Sequence, residues 1–219
     1  MKKLIRKFRL LLPMLVFFII YMVAFGILER HQADYYHVPY TRLDGMIPFV
    51  EFFIVPYILW FIFVPAVVLY LLFNDEEEYR NVCIRLMAGM SVFVVISALF
   101  PTRIFLRPLM MPRDNVFCDM VRGLYSIDTS TNVFPSIHVY NTLAVLWAVL
   151  RSRTRLFTER AIRVGSTVLS ILIVFATVFL KQHSVIDVAG AVVLFWAVNR
   201  VIAARRSEYR LIPLLVNRR

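Results

Sequence analysis

The chain has 219 residues, 60% of them apolar or aromatic, and a mean hydropathy of +0.72. Soluble domains run at roughly 45–50% apolar, so an ordinary water-soluble domain is excluded. The net charge of +11 admits a polyanionic partner, but two cysteines make neither a disulfide framework nor a cysteine-rich zinc site, and no low-complexity tract occurs. A polytopic membrane protein remains.

A bilayer-crossing helix needs about 20 mostly apolar residues. Residues 11–28 form the first such run and carry no charge; residues 48–73 form a second, with Glu51 near its start and Pro56 and Pro65 inside. Proline is tolerated in membrane helices, where it bends the axis. Residues 83–100 make a third run, interrupted by Arg85. Residues 137–150 are short, and span only if the polar residues before them enter the interface. Residues 164–180 and 185–204 complete the series, the last with Asp187 at its start and Arg200 towards its end. The first run is longer than the roughly 7–15 apolar residues of a secretory signal, so it is expected to be an uncleaved helix. The predicted fold is all-α, a single polytopic bundle of six transmembrane helices over residues 1–219.

Cytoplasmic flanks carry the excess of Lys and Arg. With both termini cytoplasmic, 18 of the basic residues fall inside and seven outside. Most of the net charge then reports orientation, and the nucleic-acid reading loses its basis, because the basic residues flank apolar spans. This topology also separates Cys83, at an inner helix end, from Cys118 in an outer loop.

Ionisable residues at membrane depth are costly and are functional candidates. Three clusters qualify, and all three fall at the outer face: residues 101–108, with Arg103 and Arg107; residues 132–138, with Ser136 and His138; and residues 181–187, with Lys181, His183 and Asp187. His183 and Asp187 are four apart, so on a helix they share a face and the carboxylate orients the imidazole. An oriented, partly desolvated histidine serves as nucleophile or base. Ser136 and His138 open a helix, whose exposed N–H groups favour an anion. Arg and Lys suit phosphate contacts. Each residue also has a plainer reading: Arg103 and Arg107 as snorkelling side chains, His138 as an interfacial residue, Ser136 as an N-cap, Asp187 as a partner of the helix dipole. Two histidines and one carboxylate among cations make a poor metal site. Taken together on one face, the clusters point to phosphoryl transfer with no metal and no cofactor.

At these residues the sequence resembles the type 2 phosphatidic acid phosphatase superfamily of membrane lipid phosphatases and phosphotransferases, whose pattern is KxxxxxxRP, PSGH and SRxxxxxHxxxD in that order. Arg107-Pro108 matches the end of the first motif, Pro135-Ser136-Ile137-His138 the second, and His183 with Asp187 the third, so the resemblance covers roughly residues 90–200. Phe100 stands at the family's Lys position, and Arg103 is expected to replace it from one helical turn before Arg107. Ile137 replaces the glycine of PSGH, and Ala176-Thr177 occupy the Ser-Arg positions, with Lys181 as the expected substitute cation. The string Phe134-Pro135-Ser136-Ile137-His138 looks more like the FPSLH of inositol-phosphorylceramide synthases.

The resemblance implies a two-step reaction. His183 attacks phosphorus to form a phosphohistidine while Asp187 holds its ring. His138 protonates the leaving lipid oxygen and then activates water. Arg107, Lys181, Arg103 and the amide end near Ser136 neutralise the phosphoryl oxygens. The expected substrate is a lipid phosphate in the bilayer, met at the outer face of the cell membrane. The rivals are a headgroup phosphotransferase, in which an alcohol replaces water, and a transporter that binds a lipid phosphate without cleaving it.

Residues 114–125 are expected to form a short amphipathic helix with Val116, Phe117, Met120, Val121 and Leu124 on one side. Tyr35, Tyr36 and Tyr40 read as an interfacial belt, and His31 and His37 as outer-loop residues. Residues 75–78 read as a solvated acidic turn. Asp128 and Asn132 are candidates for contact with the acceptor.

Overall fold

The computed structural model describes residues 2–30 and 33–216, with side chains for 4–30 and 33–205; His31 lies outside the described residues. Among the described residues nine α-helices follow in order: α1 (Lys2–Arg30), α2 (Arg42–Met46), α3 (Ile54–Asn74), α4 (Glu76–Leu99), α5 (Val116–Ile127), α6 (Ile137–Arg151), α7 (Arg155–Thr158), α8 (Arg160–Phe179) and α9 (Val185–Val216). A 3-10 turn, Glu51–Phe53, leads into α3. Extended pairing among the described residues is confined to two isolated bridges, His37 with Thr102 and Arg103 with Thr131. The fold is all-α.

Among the described residues five stretches are long and apolar enough to cross a membrane: Leu4–Arg30, Glu51–Asn74, Glu76–Leu99, Arg160–Phe179 and Val185–Arg205. Their outward faces are apolar; on α1 alone Leu12, Leu15, Ile19, Ile20 and Val23 are exposed, a surface suited to lipid and not to water. The chain is an integral, multi-pass membrane protein. α6, at the expected fourth span, is a 15-residue helix.

α6 is the centre of the bundle and packs against α3, α4, α8 and α9. Val139, Tyr140, Ala144, Val145, Ala148 and Val149 line its buried faces. The tightest approach is to α4: a Cβ built on Gly89 would lie 2.0 Å from the Tyr140 ring, so only glycine admits that ring. Tyr140 then donates its hydroxyl to the carbonyl of Arg85, an α4 residue, at 2.7 Å. α1 lies outermost and holds on by one stripe, Leu10, Leu11, Met14, Phe17, Tyr21 and Phe25, at the three-to-four spacing that puts residues on one helix face.

The two ends of the bundle are held by different chemistry. At the end holding the start of α4, Asp75 caps that helix by accepting from the Glu78 amide at 3.0 Å, and acidic residues occupy the positive end of its dipole. Glu76 pairs with Lys7 at 2.8 Å and with Arg6, while Glu78 is buried and accepts from Asn81. The acidic turn is therefore a cap and an ion-pair site, not a solvated loop. At the opposite end lie all three polar clusters, with α2 and α5 laid over them. The buried face of α5 is Phe117, Cys118, Val121, Leu124 and Tyr125; Val116 and Met120, both expected in the apolar stripe, are exposed, so the face is rotated from the predicted one. Cys83 and Cys118 are both free and buried.

Candidate active site

The second motif is built around the start of α6. Ser136 is its N-cap: the hydroxyl accepts from the Val139 amide at 3.4 Å. His138 follows in the first turn and is buried, its carbonyl accepting from the Thr142 hydroxyl at 2.7 Å. Phe134, joined to Pro135 by a cis peptide bond, lies against Gly190 of α9, where a Cβ would stand 2.4 Å from the Phe134 ring.

The third motif is made by the turn between α8 and α9. Lys181 adopts φ 54°, and the Gln182 and Lys181 amides donate back to the carbonyls of Thr177 at 3.0 Å and Val178 at 3.1 Å. That is the Schellman ending of a helix, with a lysine at the left-handed position where glycine is usual. The His183 amide also reaches the Thr177 carbonyl, at 3.0 Å, and the chain enters α9 after Ser184. The Ser184 amide donates to Asp187 Oδ2 at 2.8 Å, and the Ile186 amide to Ser184 Oγ at 3.2 Å. This is a capping box in which Asp187 is the third helical residue. His183 thus precedes the helix, and its contact with Asp187, Nδ1 to Oδ2 at 3.4 Å, spans the cap instead of a shared helical face. Asp187 Oδ1 is buried without a partner.

α2 clamps this turn from outside. Asp44 is buried and accepts from the Val185 amide at 2.8 Å, from Ser184 Oγ at 2.7 Å and from the Thr41 amide at 2.6 Å. Burial alone would raise its carboxyl, yet these hydrogen bonds hold it below the ordinary aspartate value. The Lys181 ammonium runs the other way and donates to the carbonyls of Asp44, at 2.8 Å, and Ile47. Burial draws it below the usual lysine value, with Asp44 opposing.

The two histidines meet in the centre, His183 Nε2 lying 3.4 Å from His138 Nδ1. Tyr57 of α3 completes the row: its hydroxyl is 3.0 Å from His138 Nε2 and donates to Asp128 Oδ2 at 2.7 Å. Trp60 covers the His138 ring at 4.5 Å between centroids. A cavity opens onto both histidines between Phe25, Phe93, Asp128, Thr131, Asn132 and Gln182.

Arg107 borders the same region. Its guanidinium lies 4.3 Å from the Tyr125 ring centroid, donates to the carbonyls of Asp128 at 2.7 Å and Thr129 at 2.8 Å, and bonds the Gln182 side chain. Its Nε is buried without a partner. Arg103 is placed differently. Residues 101–107 are irregular and not helical, so Arg103 is not a helical turn from Arg107; it is exposed, against the rings of Phe105 at 5.2 Å and Tyr36 at 6.0 Å.

The expected site residues therefore separate into two groups. His183, His138, Asp187, Ser136 and Arg107 converge, with the Ser136 amide donating to the Asp187 carbonyl at 3.0 Å. Lys181 is directed to backbone carbonyls and Arg103 to aromatic faces. Sequence reasoning missed Tyr57, Asp44 and Gln182. Ser184-Val185-Ile186-Asp187 carries a readable capping signal, whereas nothing marks Tyr57 inside its apolar run.

A helical membrane protein with a buried histidine pair beside a carboxylate and a guanidinium defines a class: an integral-membrane protein equipped for phosphate chemistry. A family model of the PAP2 superfamily matches residues 45–201, and the chain belongs to that superfamily, that of the type 2 phosphatidic acid phosphatases. Membership assigns it, at a coarse level, a phosphatase-type activity on lipid phosphates in a bilayer. No curated protein and no solved structure matches the chain.

Proposed function

We propose that the protein is a lipid-phosphate phosphatase that hydrolyses a phosphomonoester or pyrophosphate through a phosphohistidine and needs no metal. The observation that carries this reading is the histidine pair, His183 Nε2 to His138 Nδ1 at 3.4 Å, with Asp187 behind His183. Asp187 favours the proton on Nδ1 of His183, which leaves the Nε2 lone pair free to attack. His138 serves as acid and then as base. In-line attack needs about 3–3.5 Å between nitrogen and phosphorus, so the substrate enters by parting the two rings. Arg107 is the cation best placed to meet phosphoryl oxygens; Arg103 and Lys181 stay candidates only if their side chains swing from their present contacts. Six crossings with α6 as the fourth put both termini and the basic bundle end in the cytoplasm and the histidines at the outer face of the cell membrane.

Purified protein in detergent tests this with phosphatidate, phosphatidylglycerophosphate, a polyprenyl pyrophosphate and a sphingolipid phosphate. The expected result is release of free phosphate, abolished in His183→Ala and His138→Ala. Unchanged turnover in both variants sinks the proposal.

A second reading, a headgroup phosphotransferase resembling inositol-phosphorylceramide synthases, is favoured by one feature. The cavity has carboxylates nearby, Asp128 in its wall and Glu29 bonded to Asn132, and none of the three expected cations lines it, Arg107 standing behind the lining residues Asp128, Thr129 and Gln182. A diester, with one negative charge against the nearly two of a monoester, suits that balance. An alcohol phosphate formed in place of free phosphate identifies it.

A further inference from the structure

Each ring nitrogen of His138 has a partner: Nδ1 faces His183 at 3.4 Å and Nε2 faces the Tyr57 hydroxyl at 3.0 Å. Proton counting settles the direction of the second contact. Tyr57 has one hydroxyl proton, and its oxygen is also 2.7 Å from Asp128 Oδ2. An ionised carboxylate only accepts, so the tyrosine proton belongs to Asp128. The Tyr57–His138 contact is then a hydrogen bond only if Nε2 supplies the proton. Tyr57 is fully buried, and Gln182 Nε2 approaches the same Asp128 oxygen at 3.4 Å, so the carboxylate is oriented from two sides.

We propose that Tyr57 and Asp128 are positioning residues that keep the proton of His138 on Nε2, leaving Nδ1 as the atom that exchanges a proton with the substrate. This rests on the phosphohydrolase reading above and extends it to residues outside the three motifs. Asp187 sets the ring of His183 directly; Asp128 sets that of His138 through a phenol. When His138 takes a second proton on Nδ1, its charge faces the Asp128 carboxylate across the Tyr57 hydroxyl.

In the first half-reaction the Nε2 lone pair of His183 forms the N–P bond. The P–O bond to the lipid alcohol breaks, and the Nδ1 proton of the His138 cation passes to that oxygen. In the second, water gives a proton to Nδ1 and its oxygen bonds phosphorus, while the N–P pair returns to His183. Phosphate leaves, and both rings regain their starting protonation.

The test exploits the leaving group. An alkoxide needs a proton as it departs, whereas 4-nitrophenolate does not. Tyr57→Phe and Asp128→Asn, which keep side-chain volume, are compared with the unaltered protein in single turnover, with enzyme in excess, on phosphatidate and on 4-nitrophenyl phosphate. The expected result is alcohol release slowed about tenfold or more in both variants, with nitrophenol release changed less than about threefold. Circular dichroism and thermal unfolding in detergent verify independently that each variant is folded. Equal losses on both esters, or no loss on either, overturns the assignment. His183→Ala and His138→Ala are run alongside: if both keep cleaving phosphatidate, the phosphohydrolase reading itself falls. If both are inactive while Tyr57→Phe and Asp128→Asn match the unaltered protein, only the role of Tyr57 and Asp128 is lost.

Discussion

The Ser136 amide donates to the Asp187 carbonyl at 3.0 Å, so the starts of α6 and α9 are stitched backbone to backbone beneath the histidine pair. The second and third motifs therefore hold a common register that does not depend on side chains. Gly190, one turn into α9, extends the contact by admitting the Phe134 ring. Gly190→Ala drives a methyl to 2.4 Å from that ring and moves Phe134, two residues from Ser136. Phosphate release is expected to fall about tenfold or more, since small displacements of reacting groups are costly. Turnover at temperatures well below unfolding checks it.

Two glycines in helices give opposite outcomes on substitution. Gly89→Ala meets the fully buried Tyr140 ring at 2.0 Å, while a Cβ on Gly165 of α8 has nothing within 4 Å. Overpacking costs about 1–3 kcal/mol, and alanine in an open helix position gains up to about 1 kcal/mol. Thermal unfolding in detergent is expected to show Gly89→Ala below the unaltered protein and Gly165→Ala level with it or above.

Asp44 makes stability depend on acid. Its native carboxyl titrates below the unfolded one, so its contribution is present above about pH 4 and is lost as the pH falls through the native value. Asp44→Asn is expected to lower stability at pH 7 by about 2 kcal/mol, the scale of hydrogen bonds to a charged group. The gap should close as both proteins are acidified below pH ~4. A gap constant with pH refutes the ionic role.

Lys181 combines an unfavourable backbone angle with two carbonyl contacts. Lys181→Met keeps the strain and loses the contacts; Lys181→Gly loses the contacts and relieves roughly 1 kcal/mol of strain. Melting temperatures are expected in the order Lys181, then Gly, then Met. If the ammonium serves the turn and not the phosphate, KM at low temperature stays within about threefold in both variants.

The apolar runs disclosed the long helices because lipid imposes both length and composition on them. The three clusters were visible because charge is rare at that depth. Side-chain direction was not visible. Lys181 and Arg103 count as cations in any reading of the sequence, and only the left-handed turn at Lys181 and the irregular path of residues 101–107 turn them away from the histidines. The start of α9 falls at Val185 as the apolar run predicts, but the four-residue spacing of His183 and Asp187 suggests a shared helical face where a capping box brings the two together across the helix end. Tyr57 was hidden because a tyrosine in an apolar run reads as one more large side chain.

The residue that caps α9 from α2 lies one position before the segment the family model covers. A protein trimmed to start at residue 48 keeps every motif, both histidines and every crossing but the first, and still loses the acceptor for the Ser184 hydroxyl and the Val185 amide. The working unit is therefore larger than its signature. Chimeras that exchange the motif-bearing segment between relatives must carry residues 41–47 with it, or they will inherit the chemistry without the brace that holds it in place.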